Sequence, residues 1–297
     1  MWSRMAIVIC MMTDNMEKAS PNPGQGGDKM RGTGKAEVFA MLAHPVGHAK
    51  SPGMFNALFE KLGLDSLMVP VTCAPERLDE FWAGMDAMSN LRGVIVSIPY
   101  KVPMLAKAQT AHPRAARVGA ANILRRLPSG GWEADNFDGY GFVMAMKNKG
   151  HVMAGKQALQ VGAGGAGCSI AFCLAEEGVA GLTISDIDPA RAEALARAVQ
   201  AEFPACKVRS GPADPAGIDI AINATPVGMK PDDPLPMRVE NLRPGMVVFD
   251  IIMEPSQTRL LAEAAARGCH AEPGRPMMDC QMQAMADFLD AERKNRG

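Results

Sequence analysis

One stretch limits the folds open to this chain more than any other. Glycines at 162, 164 and 167 form G-x-G-x-x-G directly after the apolar run 158–161, and Ala166, Ile170, Ala171 and Leu174 then fall on one helical face. A strand, a glycine turn and a helix in that order leave free N–H groups at the helix start, which attract a phosphate. The next strand closes on Asp186, 24 positions after Gly162, where a carboxylate accepts hydrogen bonds from ribose hydroxyls. The combination points to a Rossmann-type dinucleotide site, with Gly162, Ala163, Gly164, Gly165, Ala166 and Gly167 as cofactor-binding residues; a purely structural glycine turn is the plainer reading. A negative charge at 186, followed by Ile187, Asp188 and Pro189 with no arginine before Arg191, disfavours a 2'-phosphate. NAD is therefore expected over NADP, and Asp188 reads as a helix cap.

Charge and cysteine usage exclude other classes. With 31 basic and 32 acidic residues, and no Lys/Arg block, a nucleic-acid partner is not expected. The seven cysteines are scattered and lack ligand spacing with histidine, which fits reduced thiols in a cytoplasmic protein and no structural metal. Residues 1–35 read as a disordered leader: the apolar run 5–12 is too short to span a bilayer, and Met16 or Met30 is a possible start. No membrane partner is expected.

Upstream of the glycine turn, β-rich runs at 37–43, 67–73 and 93–99 alternate with helical patterns, so a mostly parallel sheet is the economical reading. Ser51 is placed as the N-cap of the first helix, ahead of Pro52 and of Phe55, Leu58, Phe59 and Leu62 at helical spacing. Downstream, short strands at 219–225 and 246–252 precede helices at 258–267 and 277–292. The chain thus reads as two α/β domains, with the last helix returning to the first. Lys101 follows the run ending at Tyr100, where α/β ligand sites lie, and Asp138 stands in the glycine-rich loop "ADNFDGYGF". An ion pair between them would orient the lysine and set its pKa, as a proton-moving group beside a nicotinamide requires; a solvated lysine and a turn-forming aspartate are the bland alternative. Asn223 and Thr225, in "INATPVGM", have the polarity to border a nicotinamide, although such residues also cap helices.

Taken in order over residues 38–290, "HPVGHAKSP", "VIVSIPYK", "GAANIL", "NFDGYGF", "GAGGAG", "INATPVGM" and "GRPMMDCQ" resemble the motifs of the shikimate dehydrogenase family. The resemblance implies a substrate-binding catalytic domain at 36–145, an NAD(P)-binding Rossmann domain at 146–275, and a C-terminal helix at 276–297 packing on the substrate domain. It implies interconversion of a ring alcohol and a ring ketone, with Lys101 and Asp138 as the catalytic pair. Ser51, Ser97, Asn122 and Gln281 fall at substrate positions, and Met277 beside the nicotinamide. The small-molecule partner is a cyclic polyol or hydroxy ketone, and the chain a monomer or homodimer.

Departures from the pattern bear on the substrate. Ala49 replaces a loop serine, Ile95 an asparagine, Phe137 a threonine, and Met253 a tyrosine expected to touch the substrate carboxylate. The losses at Ala49 and Met253 both weaken carboxylate binding, each charge-assisted hydrogen bond being worth about 1.5–3 kcal/mol. The expectation is an enzyme for a shikimate-like ring altered at that group. His44 and His48 are candidates to restore positive character there, a structural role being the plainer one for His48. Authentic shikimate or quinate dehydrogenation, and a non-catalytic dinucleotide sensor, are the alternatives.

Overall fold

The apolar runs of the sequence become strands covered on both faces, and their register sets the polar ends where a site can form. The computed structural model describes residues 32–47 and 49–290, with Asp290 by its backbone alone. The expected leader, apart from residues 32–35, and His48 lie outside the described residues. The chain divides into two compact units, one running to Asp135 and resumed from Gln283, the other from Asn136 to Met282.

In the first unit the elements are β1 (Glu37–Leu42), α1 (Ser51–Lys61), β2 (Ser66–Val71), α2 (Leu78–Asp86), β3 (Leu91–Val96), α3 (Lys101–Leu105), β4 (Thr110–Ala111), α4 (Pro113–Val118), β5 (Ile123–Arg126) and β6 (Trp132–Asp135). The sheet order is β2-β1-β3-β5-β6-β4. β1 runs parallel to β2 and β3, whereas β5 is antiparallel to β3 and β6. That reversal comes from a hairpin the parallel reading did not foresee: Leu127 N–H bonds Gly131 O at 2.9 Å, and Gly130 and Gly131 take φ of +89° and +84°. Leu42, Leu91, Val94, Val96, Met104 and Leu124 form one core with Trp82 and Trp132, whose rings stand 5.1 Å apart.

One local expectation is corrected. Ser51 is the first residue of α1 and the cap position is Lys50, without a side-chain cap bond, so the hydroxyl is not spent on the helix end. Burial of Phe55, Leu58 and Phe59 holds the helix instead.

The second unit carries α5 (Asp138–Asn148), β7 (Gln157–Val161), α6 (Gly165–Glu176), β8 (Gly181–Ser185), α7 (Pro189–Glu202), β9 (Lys207–Ser210), β10 (Ile220–Asn223), β11 (Val247–Asp250), α8 (Arg259–Ala266), β12 (His270–Glu272) and the start of α9 (Arg275–Asp290). Its strands pair in the order β12-β11-β10-β7-β8-β9, every pair parallel. Order reverses between β7 and β10, and such a switch point opens a crevice beyond the strand ends. The turn after β7 is the glycine turn. Among the described residues no helix is long and apolar enough to cross a membrane.

Candidate active site

At the polar end of the first sheet, main-chain bonds gather the expected substrate residues. Ser97 N–H bonds Leu42 O at 2.9 Å, tying the end of β3 to the end of β1, and Tyr100 N–H bonds Ser97 O at 2.9 Å. Lys101 opens α3, and its carbonyl accepts from Ala121 N–H at 2.8 Å. Asn122 is buried, its backbone bonded to Val96 N–H at 2.8 Å and Asp135 O at 3.0 Å. Ser51, also buried, and half-buried Ala49 stand where β1 gives way to α1. Tyr100 anchors the lysine's helix: its buried phenol donates to the Cys73 carbonyl, and burial first, then Cys73, pushes its pKa up.

In the second unit Asp138 opens α5 and is 4% exposed. Its N–H bonds Asn136 Oδ1 at 3.0 Å, and its Oδ1 accepts from Gln281 Nε2 at 2.5 Å. The structure thus brings together two of the expected residues from positions 138 and 281. Their contact depends on Gly141: a Cβ there would lie 2.7 Å from Met277 O and 2.9 Å from Gln281 Cβ. Met277 is buried beside them, and Met253 is half-buried after β11.

Gly162 takes φ of +108°, and a Cβ on it would meet Ala224 O at 2.7 Å; a Cβ on Gly167 would lie 2.2 Å from Gly162 O. Gln160, buried in β7, holds the turn by donating to Gly162 O and Gly167 O at 2.8 and 2.9 Å. Gly164 faces open space, and α6 starts on it without a side-chain cap. A backbone that a ligand can approach closely, at a bare helix N-terminus, fits the pyrophosphate of a dinucleotide.

Asp186 is differently employed from the expectation. Its Oδ2 accepts from Ala163 N–H at 2.7 Å, and its Oδ1 from Asp188 N–H at 2.9 Å and Arg191 at 3.0 Å. The carboxylate braces the glycine turn, and α7 folds Arg191 back onto it. Asp188 caps α7, accepting from Ala190 N–H at 3.0 Å. Asn223 is fully buried: it donates to Asp250 Oδ1 and Val227 O, while its Oδ1 accepts from Thr225 N–H and hydroxyl. Asn223 thereby folds its own loop and presents Thr225. Asp250 also takes Thr258 Oγ1 at 2.7 Å and Ile252 N–H at 3.1 Å; burial raises its pKa against those three bonds.

Sequence reasoning passed over Asn136, Gln160, Ser169 and Asp250, and noted Arg191 without pairing it with Asp186. Asp250 had a signal, an acid ending an apolar strand as Asp186 nearly does; Gln160 was a polar residue inside an apolar run. Ser169 had none. The apolar groove of about 560 Å³ beside β2 and α2, lined by Val69, Val71, Phe81 and Met88, contains none of the expected residues.

A parallel sheet with this turn at its switch point fits an NAD(P)-binding protein. Comparison makes the class specific. The profile described as shikimate dehydrogenase substrate binding domain matches residues 41–124. A curated relative from Rubrobacter xylanophilus, named shikimate dehydrogenase (NADP(+)), is 36% identical over 249 residues, 82% of this chain and 87% of its own. Shikimate 5-dehydrogenase from Listeria monocytogenes, solved with shikimate and NAD, is 31% identical with a TM-score of 0.79, covering 90% of this chain and 98% of its own. The 5-ketofructose reductase of Gluconobacter sp. strain CHM43 is 29% identical with a TM-score of 0.76, covering 86% and 92%. The chain belongs to the shikimate dehydrogenase family.

The expected preference for NAD over NADP is corrected by these relatives. The Rubrobacter protein and further curated relatives are named for NADP(+). The structural reason lies in Asp186, whose charge faces Arg191 and whose oxygens hold backbone, so its presence at the strand end did not justify excluding a 2'-phosphate.

Proposed function

We propose that the protein interconverts a ring alcohol and a ring ketone related to shikimate but altered at the carboxylate, with Lys101 and Asp138 as the catalytic pair. Residues 36–145 serve as the substrate domain and 146–275 as the NAD(P) domain, and the helical segment that follows, as far as it is described, completes the former. The observation that carries this reading is the buried Asp138–Gln281 pair, kept intact while Ala49 and Met253 lack donors. A carboxylate buried at 138 is costly unless bonded, and the Gln281 amide is one of the donors that hold it.

The turn from Gly162 to Gly167, with Thr225 and Met277, would hold NADP(H), which would supply hydride-transfer chemistry. In the oxidative direction Lys101 Nζ takes the hydroxyl proton as the carbinol C–H bond breaks; in reduction it returns that proton to the alkoxide oxygen. Asp138 holds the lysine ammonium and orients an adjacent hydroxyl. Asn122, Ser51, Ser97 and Gln281 position the ring.

Two missing donors at about 1.5–3 kcal/mol each would weaken binding of a ring carboxylate by on the order of a hundredfold or more. The Gluconobacter relative, named for a ketose, supports a substrate without that group. Shikimate itself, present in the Listeria structure, is the second reading. Steady-state NADPH formation with shikimate, quinate, aminoshikimate and carboxylate-free cyclic diols separates them. Turnover confined to modified or carboxylate-free rings is the expected result; shikimate turned over at a low KM, with the others ignored, would overturn it.

A further inference from the structure

Resting on Asp138 as a catalytic group, we propose that Ser169 is a positioning residue that registers Asp138 against the helix opening the cofactor turn. Ser169 is 2% exposed in α6, the helix that starts at Gly165. Its Oγ accepts from Gly139 N–H at 2.8 Å. Gly139 lies in the first turn of α5, next to Asp138, where a backbone N–H has no partner inside its own helix.

The two helices meet here at backbone distance. A Cβ on Gly139 would fall 2.3 Å from Ser169 O and 2.6 Å from Cys173 Sγ, so glycine is required for the approach. Simple packing would not call for a hydroxyl: alanine is smaller, buries no polar group and is the better helix former. Two further main-chain holds on this turn are local, Asp138 N–H on Asn136 Oδ1 and Gly141 N–H on Phe137 O. Ser169 differs in belonging to α6. A dinucleotide seated at Gly164 and Gly165 is thereby linked, through little more than one helical turn and one hydrogen bond, to the carboxylate that positions the proton carrier.

The test is a double-mutant cycle in the full chain, using Ser169→Ala, Asp138→Asn and their combination, with kcat, KM for NADPH and the pH profile of kcat as readouts. Displacement of a reacting group by about 1 Å costs on the order of a hundredfold, so partial loosening is expected to lower kcat about tenfold in Ser169→Ala. KM for NADPH should stay within about twofold, and Ser169→Thr, which keeps the acceptor, should restore kcat to within about threefold. On the Asp138→Asn background, Ser169→Ala should remove no further turnover, because effects through one group do not add. If Ser169→Ala does not fold, Ser169→Cys, a weaker acceptor of similar volume, is expected to show the same loss. Additive losses, or wild-type kcat in Ser169→Ala with a lowered Tm, would overturn the role of Ser169 while leaving the catalytic pair standing. Wild-type turnover in Asp138→Asn would instead remove the catalytic reading and this proposal together.

Discussion

The polar ends of the two sheets are built by different means. At the first, main-chain bonds between strand ends fix the backbones of Ser97, Lys101 and Asn122, with the Tyr100 phenol on the Cys73 carbonyl among the side-chain bonds beside them. At the second, side chains hold one another: Asp186 braces the glycine turn and pairs with Arg191, and Asp250 gathers Asn223, Thr258 and Ile252 N–H. A position fixed through its backbone can exchange its side chain without refolding its surroundings, whereas a member of a buried polar network leaves stranded donors when replaced. The first kind of site can drift in substrate while the second keeps its shape.

The contrast is open to being broken. The largest effect expected is for Lys101→Ala, in which loss of the proposed proton carrier should lower kcat on the order of a thousandfold with Tm unchanged, read by steady-state rates and thermal denaturation. A large fall in Tm would show that the first site leans on side chains too. Next, Asp250→Asn places an amide donor among three donors and should destabilise the second unit by about 2–3 kcal/mol, measured by urea denaturation. Stability unchanged within error would mean that the network is ornamental.

Smaller effects sharpen it. Ala49→Ser should improve kcat/KM for a carboxylate-bearing ring by about tenfold, and Met253→Tyr by a similar factor, with the fold undisturbed. At the loop after β10, Asp233 accepts from Gly228 N–H and Lys230 N–H, and the Lys230 and Gly228 bonds hold its pKa below the usual 3.8. A lowered folded pKa means stabilisation that is full above 3.8 and lost as pH falls through the folded value. The amide shifts of Gly228 and Lys230 in an acid titration should therefore move together below pH 3.8.

Much of this was legible before any coordinates. The glycine turn could be read because each glycine answers a steric demand: Gly162 a positive φ, Gly164 an open face, Gly167 a close approach. Strand runs such as 93–99 and 246–252 landed on β3 and β11 with frayed ends, since polar residues at strand ends belong to the site rather than the ladder. The β5–β6 hairpin was missed because its turn, 127–131, sat inside a segment read for its asparagine and aspartate. Asp186 misled for a different reason: sequence shows a charge but not which donors satisfy it, and Arg191 is brought to it by a turn of α7. Ser169 was invisible because a helical serine is unremarkable until the neighbouring helix is in place.

The path of α9 decides the order in which the chain can become complete. The helix begins in the second unit and ends in the first, where Arg125 donates to Phe288 O and lies over its ring, and where Leu289 fills the space that a side chain at Gly93 would need. On a ribosome, every residue of the second unit is made before those last contacts exist. The flank of β3 and β5 in the unit synthesised first therefore gains its last partners only after the whole of the second unit has been made.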